Sequence, residues 1–222
     1  MNEDIKLSAS ILNVPTISLH SRLADLKDVV DYIHIDVMDG IFVSNKTPGI
    51  DMFKNAKRVE TKPLDVHLMV EEPLRELSNY DGASIITFHI ETVIDTKTMM
   101  IDMDKFNEVV KEIKKLGAKV GIAVKPNTTV SLLRNLLRKV DLVLIMTVEP
   151  GYGGQKLIPK TLDKIEMVKK MGFTGLLEVD GGITEENCHE VTSKGANLIV
   201  AGTGLFEAQD PYEAGKKMKI KE

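Results

Sequence analysis

The sequence predicts a single α/β domain folded as a (β/α)8 TIM barrel that spans residues 1–222. Three observations lead to this fold class. The chain has 222 residues, which is close to the usual size of one such barrel. About eight short β-rich runs alternate with amphipathic helical runs, and polar residues cluster where several different strands end. A doubly wound sheet is the alternative, but the first predicted strand lacks the Gly-rich turn of dinucleotide-binding sheets.

Each predicted strand is a short run, rich in β-branched residues, that alternates in polarity or is apolar throughout. These runs lie at 7–11, 33–38, 64–69, 84–88, 119–124, 142–146, 175–179 and 198–201. Successive side chains of a strand face opposite sides. His34, Asp36 and Met38 therefore share one face of the second strand, and His67 and Met69 share one face of the third.

The helices between these strands are predicted from apolar residues at helical spacing. The first lies at about 17–30. The second follows a loop at 41–48 and ends at 58, and the third begins at about 73. The others lie at about 103–116, 130–138, 159–171, 185–194 and 211–218. Gly117 is placed to end the helix before the fifth strand. The chain has no low-complexity tract or linker that would mark a second domain.

Composition excludes several classes of function. The formal net charge is -4 and no basic stripe is present, which argues against a nucleic-acid-binding protein and favours a small ligand. Cys188 is the only cysteine, so no internal disulfide or cysteine-rich zinc site is expected, and a reducing compartment fits. The charged N-terminus has no apolar core of signal-peptide length, and no later apolar run approaches the length of a membrane span. These features predict a cytoplasmic protein without membrane contacts.

Four potential metal ligands lie at or near predicted strand ends. They are His34 and Asp36 on the second strand, His67 on the third and Asp180 on the seventh. Two imidazoles and two carboxylates suit a divalent ion, Zn²⁺ first, with Fe²⁺, Mn²⁺ and Co²⁺ also admissible. The alternative is a set of buried polar groups that satisfy one another.

Glycine-bearing segments follow the last three predicted strands and indicate phosphate binding. Glycine lets backbone N–H groups approach an anion closely, and a short helix beginning near Gly204 would add its positive end. Alternatively, these glycines only shape tight turns. The segments contain Gly151, Tyr152, Gly153, Gly154, Gly181, Gly182, Gly202, Thr203 and Gly204.

Asp36 and Asp180 would stand nearly across the predicted barrel from each other. An enediolate held between two carboxylates can lose a proton on one face and regain it on the other, which inverts a carbon centre; a metal would stabilise it as a Lewis acid. Met38, Met69 and Met146 end three strands and would form an apolar cover that keeps water away. Filling gaps in the core is the alternative role of these methionines.

Taken in order, these motifs resemble those of ribulose-phosphate 3-epimerases. The likeness runs nearly end to end, through Ser10-Ile11-Leu12, HIDVMDG (34–40), HLMVEEP (67–73), VKPNT (124–128), IMTVEPGYGGQ (145–155), EVDGGIT (178–184) and VAGTGLF (200–206). The resemblance implies a metal-dependent barrel, commonly a homo-oligomer. Such a barrel interconverts the phosphorylated ketoses D-ribulose 5-phosphate and D-xylulose 5-phosphate.

The resemblance also implies roles for individual residues. It makes Asp36 and Asp180 the two acid/base groups, and the metal ligands would be His34, Asp36, His67 and Asp180. Ser10 and His67 would contact the sugar. The intermediate would be covered by Met38, Met69 and Met146. Substrate and phosphate would be held by Gly151, Tyr152, Gly153, Gly154, Gly181, Gly182, Gly202 and Thr203.

The loop after the second strand departs from the family pattern. Ile41 and Ser44 replace the usual residues and are expected to alter the rim of the pocket. The approach to the third strand, 61–64, resembles that of related epimerases acting on allulose 6-phosphate, a hexulose one carbon longer. The reaction type is therefore better defined by the sequence than the length of the sugar.

Two further functions remain as alternatives. A Schiff-base aldolase would use Lys125 after the fifth strand, although Pro126 follows it and no partner that lowers the lysine pKa is evident. A non-enzymatic sugar-phosphate-binding protein would keep the glycines but would not need acids on two strands. His89 and Glu91 follow the fourth strand, where a hydrogen bond near the barrel rim is expected, with lining of the pocket as the alternative.

Overall fold

The strands form a closed, all-parallel barrel in which each pairs with the next along the chain and the last pairs with the first. The computed structural model describes residues 4–59 and 62–220. The predicted fold class is confirmed, and four strands have the predicted bounds. In chain order the strands are β1 Lys6–Ser10, β2 Tyr32–Met38, β3 Leu64–Met69, β4 Ile85–His89, β5 Lys119–Val124, β6 Leu142–Met146, β7 Leu176–Asp180 and β8 Leu198–Ala201.

Helices occupy most of the connections. None of those in the described part of the chain is both long and apolar enough to cross a bilayer. The α-helices are α1 Leu19–Ala24, α2 Gly49–Val59, α3 Pro73–Glu76, α4 Met103–Lys115, α5 Leu162–Lys170, α6 Cys188–Ser193, α7 Thr203–Phe206 and α8 Pro211–Met218.

Two predicted helices differ strongly from the structure, and α6 begins three residues after the start of the helix expected at 185–194. The helix expected at 130–138 is replaced by 3₁₀ turns at Val130–Leu133 and Leu137–Lys139. Its buried Val130, Leu133 and Leu136 recur every three residues, which is the repeat of a 3₁₀ helix. The helix expected at 17–30 ends at Ala24. Beyond it, Leu26 and Val29 donate their N–H groups to carbonyls three residues back, so the segment continues as tight turns.

The two faces of the strands have different roles. Outward-facing side chains such as Ile33, Ile35 and Val37 of β2 belong to the large apolar core shared with the surrounding helices, including Phe53 of α2. This outer core supplies the hydrophobic burial that stabilises the barrel. The inner face is consequently free to hold polar residues.

Strand register gathers these polar residues at one end of the barrel. Along β2 and β3, His34 lies beside Asp65, Asp36 beside His67 and Met38 beside Met69. Between β6 and β7, Leu144 lies beside Glu178 and Met146 beside Asp180. Residues paired side by side in a parallel sheet share a face. The side chains of Asp36, His67 and Asp180 therefore enter the barrel toward the carboxyl ends of its strands, and those of His34, Asp65 and Glu178 enter it deeper.

Gly121 of β5 has a steric role in the barrel interior, because a Cβ atom there would overlap the buried side chain of Thr87 on β4. We predict that Gly121→Ala lowers the free energy of unfolding by about 1–3 kcal/mol through overpacking. The Gly121→Ala/Thr87→Ala double variant should lose less than the sum of the two single losses. Urea unfolding of Gly121→Ala, Thr87→Ala and the double variant measures these losses. An unchanged midpoint for Gly121→Ala would contradict the proposed contact.

Candidate active site

A cavity of about 530 Å³ lies at the carboxyl ends of the strands. Barrel strands meet at this face, so side chains from distant parts of the sequence converge there. His34 and His67 are fully buried beside it. The predicted residues that line it are Ser10, Asp36, Met38, Met69, Met146, Gly151, Tyr152, Gly153, Gly154, Asp180, Gly181, Gly182, Gly202 and Thr203.

The four predicted metal ligands are brought together. One ligand atom from each of them lies within 4.8 Å of the others. His67 Nδ1 is 3.1 Å from Asp36 Oδ1 and 3.7 Å from Asp180 Oδ2. His34 Nε2 is 3.4 Å from Asp36 Oδ1 and 3.9 Å from Asp180 Oδ2. The two aspartates therefore face one shared cavity. Their strands, β2 and β7, are separated by β1 and β8 on one side of the barrel and by four strands on the other.

These residues fit a divalent metal ion. The buried His34 Nε2 makes no hydrogen bond of acceptable geometry with any described residue, whereas buried polar atoms usually have such a partner. In a tetrahedral zinc site with bonds of about 2.0–2.2 Å, ligand atoms lie about 3.3–3.6 Å apart. The distances of 3.1–3.9 Å between the histidine and aspartate atoms span this range. The donor set of two nitrogens and two carboxylates is one that zinc and related divalent ions accept.

The two aspartates differ in their affinity for a proton. Burial opposes ionisation of Asp36, but the charge of His34 and hydrogen bonds with His34 and His67 outweigh it, so the pKa of Asp36 lies below its usual range. Burial and the charge of Asp36 raise the pKa of Asp180 to about 6. For His34, burial is outweighed by Asp65 and Asp36, and the pKa is raised well above 6.5. The carboxylates that raise the pKa values of His34 and Asp180 gather negative charge at this point, which a bound cation would compensate in place of added protons.

Sequence reasoning missed Asp65 and Glu178, which lie behind the four ligands. Both are fully buried, and His34 Nδ1 is 2.7 Å from Asp65 Oδ2 and 3.9 Å from Glu178 Oε1. Burial and the charge of Asp65 raise the pKa of Glu178 well above 4.5. A signal was available, because each residue stands two positions before a predicted ligand on its strand and so shares that ligand's face.

His89 and Glu91 have a more central place than the rim hydrogen bond expected from the sequence. His67 Nε2 lies 2.9 Å from His89 Nε2, and His89 Nδ1 lies 3.1 Å from Glu91 Oε2. Burial lowers the pKa of His89 to about 4, against the opposing hydrogen bond with Glu91. His89 therefore contacts the candidate ligand His67 on the side away from Asp36, and Glu91 contacts His89 in turn.

The departures in the loop after β2 lie outside the cavity lining. Ile41 is 76% exposed, and Ser44 Oγ lies 3.3 Å from the hydroxyl of Tyr152. Neither is among the residues that line the cavity. Thr61, at the start of the other departure, lies outside the described residues.

Lys125 is held away from the cavity. Its ammonium lies 3.6 Å from the centroid of the Phe42 ring and 3.4 Å from the Phe42 carbonyl oxygen. It is not among the cavity-lining residues. This cation–π contact favours a loop-anchoring role over that of a Schiff-base nucleophile.

The fold and cavity together define a barrel enzyme with a candidate metal centre at its mouth. Residues 6–206 match the sequence model of the ribulose-phosphate 3-epimerase family, and the chain belongs to this family. It is 40% identical to "Ribulose-5-phosphate-3-epimerase, chloroplastic" of Arabidopsis thaliana, over 97% of this chain and 76% of that protein. It is 38% identical to the ribulose-phosphate 3-epimerase of Bacillus subtilis, over 95% of this chain and 96% of that protein.

Solved structures of low sequence identity share the fold. The 3-hexulose-6-phosphate synthase of Salmonella typhimurium is 16% identical with a TM-score of 0.70, over 97% of both chains. KGPDC of Streptococcus mutans is 14% identical with a TM-score of 0.73, over 97% of this chain and 95% of that one. At these identities the likeness concerns the barrel alone.

Asp39 anchors the loop that follows β2. Its Oδ1 accepts hydrogen bonds from the backbone N–H groups of Ile41 and Phe42, and its Oδ2 accepts one from Glu71. Partial burial opposes ionisation, but these hydrogen bonds outweigh it and lower the pKa of Asp39. Their contribution to stability is therefore fully present above the usual aspartate pKa of about 3.8 and is lost as the pH falls through the lowered value.

We predict that Asp39→Ala lowers the free energy of unfolding by about 1–2 kcal/mol at pH 7. Asp39→Asn should cost less, because it keeps one acceptor oxygen. Urea unfolding at pH 7 and at about pH 3 tests this: the difference between wild type and Asp39→Ala should shrink in acid, and a difference that does not change with pH would contradict the ionic role.

Proposed function

We propose that this chain is a single-domain epimerase that acts at C3 of a phosphorylated ketopentose and interconverts D-ribulose 5-phosphate and D-xylulose 5-phosphate. The observation that carries this proposal is the pair of carboxylates, Asp36 and Asp180, that face one cavity from different strands beside two imidazoles. The names of the relatives from Arabidopsis thaliana and Bacillus subtilis support the choice of sugar.

We assign His34, Asp36, His67 and Asp180 as the residues that would hold a divalent metal ion, zinc in the first place. Fe²⁺, Mn²⁺ and Co²⁺ would also suit this donor set. When bound, the ion would act as a Lewis acid that stabilises the negative charge developing on the ketose oxygens as the C3 proton leaves.

Proton transfer is the task of the two aspartates. One carboxylate removes the C3 proton from one face of the sugar, and the other returns a proton to the opposite face, so the configuration at C3 is inverted. Ser10 Oγ donates a hydrogen bond to Asp36 Oδ2 at 2.9 Å, which fixes the direction in which that carboxylate points. Each positioned acid or base typically contributes about 10²- to 10⁴-fold in rate.

The remaining lining residues would bind the substrate and exclude water. Met38, Met69 and Met146 are almost fully buried and line the cavity, where their thioethers would cover the planar enediolate. The phosphate would lie at the glycine-bearing segments. Gly182 has a φ of +69° and a Cβ atom there would overlap the backbone of Gln155 and Leu157, so only glycine allows this close approach of chain segments.

Epimerisation in D₂O tests this function with ribulose 5-phosphate and allulose 6-phosphate assayed side by side. We expect faster turnover of the pentulose phosphate, with one solvent deuterium incorporated at C3 of the product. The isotope enters because the returning proton comes from a carboxyl group that exchanges with solvent. Mass spectrometry and NMR of the product measure the position of the label.

Asp36→Asn and Asp180→Asn serve as variants, with metal content determined for each. Each should lower the turnover number about 10²- to 10⁴-fold. A zinc-loaded wild type that is inactive on both sugars, or turnover without deuterium uptake, would refute the proposed function.

A further inference from the structure

A second buried layer of polar residues lies behind the candidate metal ligands. Ser8 of β1, Asp65 of β3 and Glu178 of β7 are all fully buried in the barrel interior. One ligand atom from each of His34, Asp65 and Glu178 lies within 4.8 Å of the others. None of the three residues of this layer has a role in the proton transfer proposed above.

The His34 ring connects this layer to the candidate metal centre. Its Nδ1 lies 2.7 Å from Asp65 Oδ2, whereas its Nε2 faces Asp36 and Asp180. A carboxylate can only accept a hydrogen bond, so the short contact places a hydrogen on Nδ1. In the neutral ring, the lone pair is then on Nε2, the atom that a metal would need.

Asp65 is itself held in place from a third strand. Ser8 Oγ donates a hydrogen bond to the same Oδ2 atom at 3.0 Å. Glu178 occupies the adjoining space, with Oε1 3.9 Å from His34 Nδ1. Because these partners come from β1, β2 and β7, the position of Asp65 is defined by the closed barrel rather than by one flexible segment.

We propose that Asp65 is a positioning residue for the metal centre, which selects the His34 tautomer that leaves Nε2 free and holds the ring toward Asp36 and Asp180. This inference rests on the proposed metal site. A carboxylate that accepts a hydrogen bond from the second ring nitrogen of a metal-binding histidine fixes the orientation of the ring and raises its basicity toward the metal. Asp65 does not touch the substrate and acts only through His34.

The test measures the affinity of the full chain for Co²⁺ and Zn²⁺ by competition with a chromophoric chelator. We expect one equivalent to bind to the wild type, and Asp65→Ala to bind about 10- to 100-fold more weakly. Asp65→Asn keeps the volume and one acceptor oxygen, so its loss of affinity should be smaller, and it replaces the alanine variant if that variant does not fold.

Asp141→Ala is the control, because Asp141 accepts a hydrogen bond from the Val120 N–H at the opposite end of the barrel. It should lower the melting temperature of the metal-free protein without changing metal affinity.

The outcomes separate this inference from the proposed function. A wild type that binds neither ion would refute both. Binding to wild type and Asp65→Ala with equal affinity and the same Co²⁺ absorption spectrum, with only a lower melting temperature, would refute the role of Asp65 alone. Two equivalents in the wild type, one of them lost in Asp65→Ala, would make Asp65 a ligand instead.

A spectroscopic measurement tests the tautomer directly. In zinc-loaded protein labelled with ¹⁵N-histidine, NMR should show His34 with a proton on Nδ1, and the shift of that proton should change in Asp65→Asn. An unchanged shift would contradict the hydrogen bond from His34 Nδ1 to Asp65 on which the proposal rests. An Nε2–H tautomer of His34 in the wild type would overturn the proposal.

Discussion

The structure depends on the enclosure of imidazoles and carboxylates inside the barrel within a few ångströms of one another. His34, Asp65 and Glu178 are fully buried, and Asp36 is only 4% exposed. A buried charge is strongly unfavourable unless it is paired, hydrogen-bonded or bound to a cation. The short contact of His34 with Asp65 compensates part of this cost, and the convergence of Asp36 and Asp180 leaves a demand for positive charge. The candidate metal site follows from that demand.

Such an interior is tolerated because the stability of the barrel comes from elsewhere. The apolar core between strands and helices is made by the outward residues of the same strands, among them Ile35 next to Asp36 and Val179 next to Asp180. Alternation along a strand thus assigns one face to folding and the other to chemistry. The register pairs Asp36 with His67 on neighbouring strands, and closure of the barrel brings Asp180 of β7 close to both.

The sequence predicted those parts of the fold and site that depend on local periodicity. Strand alternation placed His34, Asp36 and His67 on inner faces, and the repeated strand–helix pattern predicted the barrel. Helix extent at 17–30 and 130–138 was wrong, because apolar residues spaced by three or four positions fit either an α-helix or 3₁₀ turns. The contact of His34 with Asp65, and that of His67 with His89, depend on packing between strands, which a single sequence does not specify.

The most direct test of the account is the position of the metal. Crystals of zinc-loaded protein, measured above and below the zinc absorption edge, should show one anomalous peak per chain, enclosed by His34 Nε2, His67 Nδ1 and carboxylate oxygens of Asp36 and Asp180. A peak on the opposite side of the His34 ring, between Asp65 and Glu178, would contradict the account, as would a zinc-loaded crystal with no peak in the cluster.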